Sequence, residues 1–305
     1  MSLDENMEQA NSVIGKLTEE VAKEIVQAYA RSLKKIRAEL AVIYAKYGID
    51  SKITWSEMQK YNRMANLEKQ VIAELKTLTG KNAQSLKKGL AGIYEESFYR
   101  TAFSLESAVQ TKLAYGLINP KVIQASIQNP ISGLTLNERL AKNRNDIIIR
   151  IRQELTQGLI QGESYQRMAK RFKDALENDA VKAVRVAKTE GHRVQQEGLA
   201  QSLEHAENQG LRTRKRWVST LDSKTRDSHQ ALDGKAADKD GYFRIRGRAA
   251  QYPGGFGVAE EDINCRCTIR IEIVGFETTT RRVRGEGVIP YTTYNEWKKN
   301  RISAA

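Results

Sequence analysis

At 305 residues the chain is long enough to bury a core and to form two domains, or one domain with long helical extensions. Apolar residues make up 40% and charged residues 29%, which favours amphipathic helices with much solvent-facing surface over a thick core, and two cysteines are too few for a disulfide-framed secreted domain. Fifty Lys and Arg against 37 Asp and Glu leave a formal charge of +13, which points to a polyanion as partner or, more plainly, to solubility.

Residues 1–16 hold no apolar stretch behind basic residues, and no run reaches the roughly 20 apolar residues needed to cross a bilayer. Synthesis and residence in a cytoplasm are expected, with no membrane partner. From Leu17 through Val21, Ile25, Tyr29, Leu33, Ile36, Leu40 and Ile43 to Tyr47 the apolar residues recur at three- and four-residue steps, predicting a long helix that stops at Gly48. A second stripe, Met58 to Leu78, is expected to end at Gly80, and a third, Leu86 to Ala108, at Gly116, because glycine adopts the left-handed conformation that releases a helix.

Pro120 and Pro130 bracket a short helix or turn. Thr135 with Glu138 three residues on has the form of a capping box, opening a helix through Leu140, Ile147, Ile151, Leu155 and Leu159 to Gly162. A shorter helix is expected over Tyr165 to Leu176 and a last long one from Asp179 to Gln209, ended by Gly210.

Beyond Gly210 the pattern changes to a strand over Arg212–Val218, a short helix over Thr225–Leu232, a glycine-rich loop from Gly234 to Glu261, and an alternating strand over Thr268–Val274. Residues 278–305 are polar, with Arg281, Arg282 and Arg284 and an aromatic anchor between Tyr291 and Trp297, and suit a tail that orders on a partner. The expected fold is mainly α: an elongated bundle of long amphipathic helices followed by a small α+β C-terminal module. Its expected divisions are a helical region 1–130, a helical part 131–210, the module 211–275 (its core shared with 180–210) and a basic tail 276–305.

Two groups of side chains carry candidate chemistry. Arg212, Arg214, Lys215 and Arg216 run into Trp217, and Arg244, Arg246 and Arg248 follow Tyr242 and Phe243; charges beside stacking surfaces suit backbone-directed binding of nucleic acid, and a protected strand edge suits them equally. Cys265 and Cys267, at i and i+2 on an extended segment, project to one face within ligand reach of each other, with His229 and Asp222 as further ligands to a soft metal such as zinc. The competing reading needs no cofactor: Asp222 caps the short helix or pairs with Arg226, His229 bonds a loop carbonyl, and the cysteines pack as small hydrophobes. A Cys265–Cys267 disulfide fits neither the distance nor a reducing compartment.

The ordered segments Ala187-Lys-Thr-Glu-Gly-His-Arg193, Lys215-Arg-Trp-Val-Ser-Thr-Leu-Asp222, Thr225-Arg-Asp-Ser-His229, Leu232-Asp-Gly234 and Asp262-Ile-Asn-Cys-Arg-Cys267 resemble the Mu F-like head morphogenesis domain of tailed bacteriophages. The pieces that carry the resemblance include Thr189, Glu190, Trp217, Asp222, Arg226, His229 and Gly234. Upstream, Pro130-Ile-Ser-Gly-Leu-Thr135 with Arg139, Gly158 and Gly162-Glu-Ser164 looks like the helical part that precedes this domain, extending the resemblance to most of the chain. Relatives often place a Cys-x-x-Cys pair where this chain has Arg226 and His229, a departure from the metal-rich version of the pattern.

The resemblance implies a minor head protein in the virion, portal-associated inside the procapsid, supporting head morphogenesis and DNA packaging or ejection, and not an enzyme. The partners it implies are the portal protein, double-stranded DNA without sequence preference, and scaffold or capsid protein. Two alternatives stay open: a metal-dependent hydrolase or nuclease on the His229, Cys265 and Cys267 cluster with Asp222 or Glu190 as base, and a pure portal or scaffold adaptor. Thr189 and Glu190 lie within a helix, where Glu190 is expected on a solvated turn paired with Arg193 or near Lys188; a second reading has Glu190 meet Arg226 and His229 as a polar support for the loop.

Overall fold

In a computed structural model of the protein, residues 2–275 and the strand residues 280–283 and 287–290 are described. Helical periodicity governs the first two thirds: α1 (Leu3–Tyr47), α2 (Trp55–Gln59), α3 (Arg63–Val109), α4 (Pro120–Gln128), α5 (Leu136–Ile160) and α6 (Tyr165–Asn208) follow one another. Then come β1 (Thr213–Val218), α7 (Asp227–Gln230), β2 (Phe243–Ile245), β3 (Arg248–Ala250), α8 (Ala259–Asp262) and β4 (Thr268–Ile273), with β5 (Thr280–Val283) and β6 (Gly287–Pro290) last. The fold is mainly α with a small α+β module. Among the described residues no helix is long and apolar enough to cross a membrane.

Helix boundaries differ from expectation where local chemistry outweighs the apolar stripe. The first helix starts at Leu3 rather than near Leu17, because Ser2 and Glu5 cap it reciprocally: the Glu5 amide donates to Ser2 Oγ at 3.2 Å and the Ser2 amide to Glu5 Oε2 at 2.7 Å. Gly80 does not end a helix; the two stripes around it belong to α3, since one glycine costs an interior turn only about 1 kcal/mol, which two flanking apolar stripes outweigh. That helix stops at Val109, ahead of Gly116, with Gln110 taking the left-handed conformation at φ 53°. Likewise the two helices expected between Tyr165 and Gln209 are one, α6, nothing between Leu176 and Asp179 being a breaker. The Thr135–Glu138 capping box and the stops at Gly162 (φ 61°) and Gly210 (φ 91°) are present as expected.

The described chain divides into two compact units whose boundaries fall inside α1, α3 and α6 and between α4 and α5. One comprises Glu20–Lys88 and Leu134–Ala187. Its interior is apolar, with Leu40, Leu75, Leu155 and Phe172 fully buried, each such side chain worth about 1.5–3 kcal/mol of removal from water. Buried polar groups there are matched: Tyr29 donates to Asp179 at 2.6 Å, and burial pushes both the phenol and the carboxyl above their ordinary ranges.

The other unit comprises Met1–Glu19, Gly89–Gly133 and Lys188–Ala305. It contains the module. Strands β1 and β4 pair antiparallel, Trp217 opposite Ile269 and Lys215 opposite Ile271, and the other edge of β1 is taken by residues 234–237. One face of this ribbon, with Trp217, Ile269, Ile271 and Ile273, packs into a core shared with Leu105, Leu199, Leu203 and Phe243. The segment expected as a glycine-rich loop contains the β2–β3 hairpin and α8. Within the segment expected as a tail, β5 pairs with β6, Thr280 opposite Pro290. Val283 and Val288 flanking Gly285 and Gly287 are a hairpin signal that the polar composition hid. Arg284 and the Tyr291–Trp297 anchor lie outside the described residues.

Two helical glycines should answer an added methyl with opposite signs. At Gly80 a Cβ meets nothing within 4 Å, so Gly80→Ala is expected to raise stability by about 0.5–1 kcal/mol through lost backbone entropy of the unfolded chain. At Gly198 the same atom falls 2.7 Å from the Tyr94 carbonyl, where α6 closes on α3, so Gly198→Ala should cost about 1–3 kcal/mol. Urea midpoints at constant m-value measure both.

Candidate functional site: a buried thiol and imidazole cluster beside a basic strand

The cluster is assembled by three short segments held against α6. In α7, a single turn, His229 is 1% exposed; its ring packs edge-on against fully buried Trp217, centroids 5.2 Å apart. Gly234 turns the chain with φ 76° and donates its amide to the Trp217 carbonyl at 2.9 Å, closing the loop that returns α7 to β1. Asn264, also left-handed at φ 58°, makes the turn that aims Cys265 and Cys267 inward. That turn is clamped twice: the Asn264 amide donates to Thr189 Oγ1 on α6 at 3.2 Å, and the Arg226 guanidinium donates to the Ile263 carbonyl.

Nδ1 of His229 lies 3.7 Å from the Cys265 sulfur and 3.4 Å from that of Cys267. Both cysteines are free thiols. On the other side of the ring, Nε2 sits 3.0 Å from Oε2 of Glu261 in a bent contact, and Glu261 is itself 2% exposed and accepts from Ser228 Oγ at 2.9 Å. The two thiols are not equivalent. Cys267, hydrogen-bonded to Cys265 and to His229, titrates below its ordinary range, while Cys265, bonded to Cys267 and buried, is pushed up.

Asp222 is not brought to the cluster. Its carboxylate faces outward in an ion pair with Arg266, Nη2 to Oδ1 at 2.8 Å, and accepts from the Lys224 amide at 3.0 Å. Glu190 on α6 takes the first of its two expected partnerships. It is fully buried and paired with Arg193 one helical turn on, at 2.9 Å, because a carboxylate facing the interior from α6 finds a guanidinium on its own helix first. Arg193 then spends its other donors on Glu197 at 3.1 Å and on the Ser126 carbonyl at the end of α4 at 2.7 Å.

Several residues at this site were not singled out by sequence. Gln196 on α6 accepts from the Ile269 amide and donates to Thr268 Oγ1, both at 3.2 Å, which fastens β4 to the helix. Asp262 accepts from the Phe256 and Val258 amides at 3.0 and 3.1 Å; burial raises its pKa. His192, from the same stretch as Thr189, is held near 4 by burial and then by the nearby His229, and is neutral at neutral pH. The acidic run Glu260-Glu261-Asp262 just ahead of the cysteines was the available signal for Glu261.

The basic residues divide by strand face. Arg212 and Arg214 are exposed; Arg216 is paired with Glu272 at 2.7 Å, and Arg270, not anticipated, stands opposite Arg216. Lys215 points the other way, donating to the Gln251 carbonyl at 3.2 Å among Glu207, Glu204 and Asp238, and burial lowers its pKa. Arg244 pairs with Asp238 at 2.7 Å, Arg248 with Glu260 at 3.5 Å, and Arg246 reaches to 4.0 Å of Glu261. Trp217 and Phe243 are buried, so neither offers the stacking surface expected beside these charges.

Thus long helices carry a small module in which α6, the 263–264 turn, α7 and β1 meet in space as they do in the ordered motif. The family described as "Phage Mu protein F like protein" matches residues 149–270. The chain is similar to "Minor head protein GP7" of Bacillus phage SPP1, 31% identical over 306 residues, covering 97% of this chain and 98% of that protein. It is also similar to "NAD(+)--arginine ADP-ribosyltransferase EFV" of Enterococcus faecalis (strain ATCC 700802 / V583), 31% identical over 286 residues, covering 93% of this chain but 58% of that protein. No solved structure matches. The chain belongs to the Mu F-like family of phage minor head proteins.

Two measurements test this description. Arg193→Met leaves the Glu190 charge buried without its guanidinium and should cost about 3–5 kcal/mol in chemical denaturation. Asp222, held at about 2 by Arg266 against an ordinary 3.8, binds fewer protons folded than unfolded between those values. Its contribution to stability is therefore complete above pH 4 and lost as pH falls through 2. Asp222→Asn should flatten that part of the stability–pH curve and leave the curve's slope near neutrality unchanged.

Proposed function

We propose that the protein is a structural minor component of the phage head, associated with the portal inside the procapsid, that contacts packaged double-stranded DNA without reading its sequence and supports its orderly packaging and delivery. The observation that carries this proposal is the match to a minor head protein over nearly the whole of both chains, 97% of one against 98% of the other. The basic outer face of β1 and the formal charge of +13 support the DNA contact, since phosphate neutralisation with counterion release needs cations and no base-edge geometry. Arg212 and Arg214 are its leading contacts, with Arg216, Arg244, Arg246 and Arg248 partly committed to carboxylates and Lys215 turned inward.

A structural role also accounts for the enterococcal relative without an activity here, because the segment shared with it is the one that matches the minor head protein. The hydrolase alternative has little support: its two named bases, Asp222 and Glu190, are engaged by Arg266 and Arg193. A pure adaptor differs from the proposal only in the DNA contact.

Affinity for duplex DNA measured across salt concentrations separates the two. The logarithm of affinity should fall linearly with that of salt, and the Arg212→Glu, Arg214→Glu double variant should lower the slope by roughly 2; a flat titration leaves the adaptor. Procapsids made without the protein should assemble yet package or deliver DNA poorly and lose infectivity, and the protein should copurify with portal. Recovery independent of portal sinks the placement.

A further inference from the structure

We infer that His229, Cys265 and Cys267 form a binding site for a soft divalent cation, with zinc the ion whose geometry they match and Glu261 the residue that orients the imidazole.

The ligand atoms of the three residues all lie within 4.8 Å of one another, and all three residues are buried. In tetrahedral zinc coordination, bonds of about 2.3 Å to sulfur and about 2.0–2.1 Å to nitrogen set the sulfur-to-nitrogen edge near 3.6 Å. The two edges here are 3.7 and 3.4 Å. An ion placed between the three atoms would need no rearrangement of the backbone.

Hydrogen bonding alone accounts for the arrangement less well. A carboxylate 3.0 Å from Nε2 favours a proton on that nitrogen, which leaves one lone pair on Nδ1 facing two sulfurs. One thiol can donate to it. Cys267 Sγ donates to Ser219 Oγ at a long 3.9 Å, and Ser219 donates its own proton to the His229 carbonyl at 2.7 Å. Two sulfurs and one imidazole nitrogen converging on one point are the donor set that a soft cation takes.

Glu261 cannot itself be a ligand, because it approaches the ring from the nitrogen opposite the thiols; it occupies the place of the outer carboxylate that commonly fixes a ligating histidine. Two thiolates and one imidazole select against hard ions such as magnesium or calcium. Three protein ligands leave a fourth position for water or another small donor. The ion would join α7 to the start of β4, segments that are otherwise connected by side-chain contacts through Ser219 and Arg226.

The full-length chain, purified under reducing conditions without chelator, should carry about one zinc by elemental analysis, and cobalt added to the stripped chain should give a thiolate-to-metal charge-transfer band with tetrahedral ligand-field intensity. Cys265→Ser with Cys267→Ser should abolish both signals, and Glu261→Gln should weaken metal affinity about 10–100-fold without changing stoichiometry. A folded wild-type chain that holds no zinc and gives no charge-transfer band with excess cobalt overturns the site, whether or not the double variant folds. Unchanged affinity in Glu261→Gln overturns the role given to Glu261.

Discussion

A two-stranded ribbon cannot bury its own apolar face, and this constraint shapes the unit that carries the site. Trp217, Ile269, Ile271 and Ile273 project from one side of β1 and β4 and are covered by the last turns of α6, by Leu105 of α3 and by the β2–β3 hairpin. Docking is made specific by polar contacts from one stretch of α6. Thr189 holds the turn before the cysteines, Gln196 holds the start of β4, and Arg193 between them is tied to the end of α4. Those residues are spaced at three and four, so they share one face of the helix.

The buried Arg193–Glu190 pair illustrates how such a face is kept specific rather than merely sticky. An ion pair in the interior gains little net free energy over a well-packed apolar pair, but an unmatched charge there is costly. Misdocking α4 or the module would strand one of these groups, so the arrangement penalises alternatives more than it stabilises the native state. Asp262 and the loop amides it accepts work the same way around Phe256, where a carboxylate replaces absent regular secondary structure.

The geometry also separates two properties that the sequence presents side by side. Basic residues run ahead of Trp217 along 212–216, and the strand pleat sends Arg214 and Arg216 to one face and Lys215 and Trp217 to the other. Arginines stay at the outer face, and Trp217 becomes the floor on which His229 rests. Consequently the arginines face outward while the thiol and imidazole cluster stays shielded from solvent.

Much was legible from residue order alone. The apolar period located the long helices, Thr135 with Glu138 located the start of α5, and the Cys-x-Cys spacing put two thiols on one face, because each of these depends on neighbours a few residues apart. Whether Gly80 ended a helix, or Leu176 and Asp179 belonged to one helix or two, was decided by the apolar residues packed on either side, a long-range effect invisible in a local window. The partner of Asp222, and the selection of Glu261 over Asp222 as the carboxylate beside His229, depend on which loops lie against each other across tens of residues of chain. Sequence by itself determined the elements and the inventory of reactive groups; only tertiary packing decided which of those groups meet, since an ion pair or a ligand set depends on distance in space and not on separation along the chain.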